Sequence, residues 1–206
     1  MGRFLVGVVV GAAGLAACAY VYVHYGYMDM RADQPAGRIE RFYMRDAMDR
    51  SVDRHAPKMP NPVPPTDANL IDGIRVYKNN CAICHGGAEK PTAALNRGFS
   101  PPVPQFLKDA PDMPDYQNYW IIRHGVRLTG MPAWEQVLPD SDIWKVTAFL
   151  SKMGQLSQLS PEVQGAWKNV AESPAGAQAA PALPAEPPNS APAANSQPPK
   201  ARRHRH

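Results

Sequence analysis

Hydrophobic and polar positions divide the chain into stretches of different character. Residues 4–25, from Phe4 to Tyr25, are almost unbroken apolar and small residues, relieved only by His24. At 1.5 Å of rise per residue, about 20 residues cross the hydrocarbon core of a bilayer, so this run predicts a membrane-spanning helix. Tyr20, Tyr22, Tyr25 and Tyr27 gather at its C-terminal end, like an interfacial aromatic belt. Residues 36–55 alternate charges densely, and Asp46 and Arg50 stand four apart in the order that favours a helical ion pair. Ile39, Phe42, Tyr43, Ala47 and Met48 give this segment one loosely apolar side. It predicts a membrane-proximal helix, either lying against the following domain or a partner, or standing free as a solvated spacer. The run Pro57-Lys58-Met59-Pro60-Asn61-Pro62-Val63-Pro64-Pro65 must be extended and semi-rigid, and is expected to hold the domain away from the bilayer.

Helical periodicity then takes over. Ile71, Ile74, Val76 and Tyr77 form an apolar-rich pattern, and Gly73 within it allows a close helix crossing. A second apolar run is Tyr119-Trp120-Ile121-Ile122. A third carries Ile143, Trp144, Val146, Thr147, Phe149 and Leu150, with Asp140-Ser141-Asp142 offering N-cap chemistry and Gly154 marking its end. Trp144, Phe149 and Tyr77 read as ordinary core. No internal repeat appears, and these helical patterns agree with an all-α fold class. From about residue 155 the periodicity fades. Val163, Trp167 and Val170 are enough for a short helix on the domain edge, and residues 173–199, mainly Pro, Ala, Ser, Gln and Asn, predict disorder. The boundaries follow: an anchor at 1–27, a helix and Pro-rich linker at 28–68, a folded domain at 69–154 and a largely disordered tail at 155–206.

Two other readings of the N-terminus exist. Arg3 supplies a short basic region of the kind that opens a cleaved signal peptide, but the apolar run is too long and lacks a clear cleavage site. Leu15-Ala16-Ala17-Cys18 reads as a bacterial lipobox, although the chain stays apolar after Cys18 where a lipoprotein turns polar. In the spanning-helix reading Cys18 is a small apolar residue. The formal net charge of +4 owes much to the basic run Lys200-Ala201-Arg202-Arg203-His204-Arg205-His206. Acidic and basic side chains nearly balance within residues 69–153, which removes any strong steering field and leaves nucleic-acid binding unsupported.

The chemistry is concentrated in Cys81-Ala82-Ile83-Cys84-His85. C-x-x-C-H is the attachment motif of a c-type haem: two thiols at this spacing reach the two vinyl groups on one porphyrin edge, and the adjacent imidazole lies under the iron. A thioredoxin-like reading of C-x-x-C needs a βαβ context, and no such pattern exists here. The second axial ligand then decides between an open and a closed iron. Met113, His124, Met131 and Met153 are the downstream candidates. Met131 sits in Thr129-Gly130-Met131-Pro132-Ala133-Trp134, where Gly130 lets the backbone approach the haem face and Pro132 fixes φ after the ligand. Met113 lies among Asp109, Asp112 and Asp115, a solvated setting. Met153 reads as a packing residue and His124 as a helix-end residue. His85 and Met131 are therefore the expected axial pair. That pair raises the reduction potential and leaves no open site for a substrate.

Residues 69–152 resemble a class I (His/Met) mono-haem cytochrome c domain, nearest to the cytochrome subunit of cbb3-type oxidases. The resemblance rests on Gly73-x-x-x-Tyr77-x-x-x-Cys81-Ala82-Ile83-Cys84-His85-Gly86, Ile122-x-x-Gly125, Gly130-Met131-Pro132-Ala133-Trp134 and Trp144-x-x-x-Ala148-Phe149-Leu150. It implies three or more helices wrapped round one covalent haem c. It also implies a Pro carbonyl that orients the proximal His, for which Pro101 and Pro102 are the candidates. Trp134 or Arg123 is expected to meet a haem propionate, or else to be a packing or surface residue. The implied function is single-electron transfer between redox partner proteins, with no small-molecule substrate, either as a free tether or as a fixed subunit of an oxidase, reductase or dehydrogenase. A peroxidase or gas-binding domain is the remaining alternative if Met131 is not bound. Haem attachment outside the cytoplasm implies a bacterial inner-membrane protein facing the periplasm. The positive-inside count points the other way, with Arg3 before the helix and Arg31, Arg38 and Arg41 after it, but long domains translocate largely regardless of such charges.

Overall fold

The computed structural model describes residues 1–34, 36–90 and 93–169, and every regular element among them is helical. The helices are α1 (Gly2–His24), α2 (Arg38–His55), α3 (Asp67–Asn80), α4 (Ala82–His85), α5 (Asp115–His124), α6 (Asp140–Leu150) and α7 (Pro161–Asn169). Short 3₁₀ segments lie at Ala94–Gly98, Trp134–Gln136 and Met153–Gln158. The disorder expected for residues 173–199, and Val170, lie outside the described residues. α1 has a mean hydropathy of 2.2 in its most apolar window and buries none of its residues against the rest of the chain. It is long and apolar enough to cross a membrane.

The core forms where α3 crosses α6. Thr66 caps α3, its Oγ1 accepting from the Asn69 N–H, and Asp67 stands in the first turn where the helix dipole favours an anion. Leu70, Gly73, Ile74 and Tyr77 recur at helical spacing and are all buried. Gly73 is needed for the crossing itself: a Cβ there would fall on the Lys145 carbonyl and lie 2.9 Å from the Phe149 Cβ. α6 is buried nearly all round from Ile143 to Leu150, and the Trp144 indole stacks on Tyr119 of α5 at 3.7 Å.

Several expectations change at the edges. Pro139 precedes α6 without a side-chain cap. Asp140, expected to help cap the helix, accepts a hydrogen bond from the Tyr119 hydroxyl and lies 3.3 Å from an Arg123 nitrogen. The helix closes at Leu150 rather than running to Gly154, and Met153 begins the 3₁₀ segment as a buried packing residue. α7 belongs to the core: Val163 is fully buried, and Trp167 packs 5.5 Å from the Phe149 ring and 5.8 Å from Tyr77. Apolar spacing i, i+4 on a nine-residue helix was enough to dock it, so the folded unit runs past the boundary expected at 154.

The upstream segment is also part of this unit. α2 forms with its Asp46–Arg50 pair at 2.8 Å, and its C-terminal half buries Val52 against the domain. Gln117 of α5 donates to Asp53 at 2.7 Å, and His55 stacks over Trp120. The Pro-rich linker has no regular secondary structure and does not stand clear as a spacer. Asn61 donates to Asp115 at 3.0 Å and to the Trp144 carbonyl at 3.3 Å, which ties the linker to α5 and α6. Asn61 also accepts from the Val63 N–H at 2.9 Å, so one side chain both turns the linker and fastens it to the domain.

Candidate functional site

The Cys81–His85 motif opens as the single turn of α4. Cys81 ends α3, with its N–H donating to the Tyr77 carbonyl, and its own carbonyl accepts from the His85 N–H at 2.9 Å. Gly86 follows at φ +84°, a left-handed position that glycine occupies without Cβ strain, and this turn releases the chain from the motif. The buried Tyr77 hydroxyl donates to the Gly86 carbonyl at 2.7 Å, so a residue read as plain packing also pins the end of the motif to α3.

Cys81, Cys84, His85 and Met131 line one crevice, together with apolar side chains from Phe99, Phe106, Ile122 and Leu150. His85 is buried and held on two sides. Its Nδ1 lies 2.9 Å from the Pro104 carbonyl, and its ring stacks on Phe106 with centroids 4.2 Å apart. A carbonyl can only accept, so Nδ1 carries the proton and Nε2 keeps its lone pair. Burial lowers the His85 pKa and outweighs the opposite pull of the Pro104 carbonyl, which favours the neutral imidazole.

The orienting carbonyl is thus that of Pro104, not of Pro101 or Pro102, although both of those line the crevice. Gln105 explains the register. Its side-chain amide donates to the carbonyls of Cys84 and Val103 at 3.0 and 2.9 Å and accepts from the Ala93 N–H at 2.8 Å. The Phe106 N–H also reaches the His85 carbonyl at 3.3 Å. These bonds lay residues 103–106 along the His85 ring and leave 101–102 further out along the chain. Sequence reasoning missed Gln105; the only signal was an amide set among Val103, Phe106 and Leu107.

Met131 stands on a closed loop. Its N–H donates to Thr129 Oγ1 at 3.1 Å, its carbonyl accepts from the Val126 N–H at 3.1 Å, and Thr129 Oγ1 donates to the Val126 carbonyl at 2.7 Å. Gly125, at φ +67°, allows the return strand to pass close: a Cβ there would lie 2.6 Å from the Pro132 carbonyl carbon. Gly130 is also tightly packed. A side chain there would enter the Phe99 ring, so its smallness serves a packing contact within the protein. Met113 lines the same crevice, despite its acidic neighbours. His124 is turned outward, its Nδ1 3.6 Å from Glu135, and Met153 is in the core.

The donor set fits a covalent haem. Burial pushes the Cys81 thiol up to about 12 and raises Cys84 as well, so neither sulfur is poised as a metal-binding thiolate, and no disulfide joins the described cysteines. One imidazole with a free lone pair faces an apolar crevice that also contains thioethers. Trp134, on the same crevice, has a buried Nε1–H that no acceptor among the described residues reaches. An acidic group within the crevice would satisfy it. Arg123 is not among the crevice-lining residues, and it spans Glu135 at 3.1 Å and the Tyr119 hydroxyl at 2.7 Å.

Residues 68–150 of the 206-residue chain match the family model for cytochrome C oxidase, cbb3-type, subunit III. No curated protein and no solved structure gives a significant match to the chain. The match runs through α3 to α6, which supply nearly all of the crevice lining. Residues 68–150 are a cbb3-like mono-haem cytochrome c domain of the all-α class I fold, with a covalently bound haem c and a role in electron transfer.

Proposed function

We propose that the protein is a membrane-tethered electron carrier whose haem is fixed by Cys81 and Cys84 and ligated by His85 and Met131. The observation that carries this reading is the 2.9 Å contact of His85 Nδ1 with the Pro104 carbonyl, which assigns the proton to Nδ1 and leaves Nε2 as the ligating nitrogen in a crevice that Met131 also lines. Bound there, haem c supplies one-electron cycling between ferrous and ferric iron. Pro104 and Phe106 orient the imidazole, the Val126–Met131 loop presents the thioether, and the apolar wall excludes water. Two filled axial positions leave no room for a substrate, which separates a carrier from a peroxidase. α1 provides the tether, and haem attachment outside the cytoplasm places residues 28–206 on the periplasmic side of a bacterial inner membrane. Donor and acceptor are redox proteins.

Optical spectra of detergent-extracted wild type, Met131→Ala and Met113→Ala test the ligand set. Wild type and Met113→Ala should be low-spin, show the weak sulfur-to-iron charge-transfer band and ignore carbon monoxide. Met131→Ala should keep its covalent haem, lose the band and bind carbon monoxide. If Met113→Ala loses the band instead, Met113 is the ligand; if wild type binds carbon monoxide, the iron is open and the carrier reading fails. A second reading, a fixed oxidase subunit, is favoured by the family match itself. Copurification of a terminal oxidase after mild detergent extraction would favour it over a free tether.

A further inference from the structure

One wall of the crevice comes from outside the family-matched segment. Met48, on α2, lines the same crevice as His85 and Met131 and is half-buried there. Its helix is held in place by three contacts below it: Val52 is buried to 3% exposure, Gln117 donates to Asp53 at 2.7 Å, and His55 stacks on Trp120. Gln117 is itself buried, so the Asp53 contact compensates a polar group that would otherwise lose its partner. The N-terminal half of α2 shows the opposite character, with Ile39, Phe42 and Tyr43 more than 60% exposed. α2 therefore docks by its second half, and that half includes the residue in the crevice.

We propose that α2 is part of the haem site, with Met48 covering an edge of the crevice and keeping water from it. The inference rests on the crevice holding haem c, as above. A thioether suits this role because it is apolar, flexible and polarizable, and fills an irregular gap without presenting a hydrogen-bonding group. Excluding water from a haem disfavours the ferric state, which carries the greater charge, so a docked α2 raises the reduction potential. The functional unit then starts at α2 rather than at residue 68. Because α2 follows the apolar helix α1, the covering element is also the one nearest the bilayer in the chain.

The test uses the full-length holoprotein in detergent, with redox titration and optical spectra of Met48→Gln, Met48→Leu and Val52→Asp. Met48→Gln puts a polar amide at the edge, and Val52→Asp undocks α2 while leaving Met48 in the sequence. Both should lower the reduction potential, so that the ferrous/ferric ratio at a fixed applied potential falls roughly three- to ten-fold, with the sulfur-to-iron band intact. Met48→Leu, which keeps the edge apolar, should titrate within about two-fold of wild type. Wild-type potentials for both Met48→Gln and Val52→Asp would overturn the proposal, as would an equal shift in Met48→Leu. Loss of the band in both Met48 variants but not in Met131→Ala would make Met48 the axial ligand, overturning this proposal and the His85/Met131 pair together. Loss of the band in Met131→Ala alone leaves the ligand pair standing, so the two readings fail separately.

Discussion

His85 and Met131 line one crevice, yet the chain holds them very differently. The His85 side is over-determined. Its ring has a hydrogen bond and a stacking partner, and Gln105 ties together three separate backbone groups around it. The Met131 side rests on a short loop closed chiefly through one hydroxyl, Thr129 Oγ1, with Leu128 at φ +61° and exposed at the tip. A non-glycine residue in the left-handed region costs about 1 kcal/mol, so the loop stores strain that the His85 side does not. The difference suits the chemistry. On the proposed ligand set, the motif side would stay fixed through covalent attachment and the thioether side would be the one free to adjust.

The largest effect that would sharpen this comparison comes from Gln105→Leu. It strips hydrogen bonds from two carbonyls and one buried N–H, costing about 2–4 kcal/mol of stability. With the 103–106 segment loosened, the Pro104 carbonyl no longer fixes the His85 tautomer, and the reduction potential should move with the stability. Denaturant unfolding together with a redox titration checks both. A variant that lost stability but kept its potential would show that Gln105 supports the fold without orienting His85.

Thr129→Val should cost less, about 1 kcal/mol, because the loop is partly exposed and water replaces part of what is lost. Its signature is selective. The sulfur-to-iron band should disappear at lower denaturant concentration than the helical signal, whereas in wild type the two transitions lie closer together. Coincident transitions in the variant would mean that the Met131 loop is as cooperative as the rest of the domain, and the contrast between the two sides would collapse.

The same contrast explains what could be read from the chain before its structure. C-x-x-C-H names the chemistry because two thioether bonds demand two thiols at that spacing beside an imidazole, while Gly-Met-Pro-x-Trp points to a ligand loop only through its resemblance to the family pattern. The apolar spacing of α3 and α6 gave the core, since helical period and burial are coupled directly. The orienting carbonyl was not legible. Choosing Pro104 over Pro101 and Pro102 depends on the register of an irregular segment, and that register is set by Gln105 reaching back to Cys84 and Ala93, twelve to twenty-one residues away. Met48 was legible only as part of a loosely apolar side; its place in the crevice depends on the docking of Val52 and Asp53. Local pattern reports which residues can act, and lateral hydrogen bonds decide where they stand.

The smallest expected effect lies on neither side of the crevice. Lys145 of α6 donates to Asp72 of α3 at 2.9 Å across the seam that Gly73 closes, and Arg75 adds a second bond to the same carboxylate at 2.6 Å. The Lys145 hydrogen bond is the main cause that holds the Asp72 carboxyl below its ordinary range, against a smaller opposing effect of partial burial. A lowered folded-state pKa contributes stability that is present above the ordinary carboxylate value and is lost as pH falls through the lowered one. The Asp72 side chain is 39% exposed, so solvent screening limits the pair to about 0.5 kcal/mol at neutral pH. Asp72→Asn should therefore lower the melting temperature by about 2–4 °C at pH 7. The deficit should shrink towards zero as acid protonates the wild-type carboxylate, with the optical spectrum of the haem unchanged throughout. A deficit that persisted in acid would locate the effect in packing at the α3–α6 crossing, and a changed spectrum would mean that the seam and the crevice are not independent.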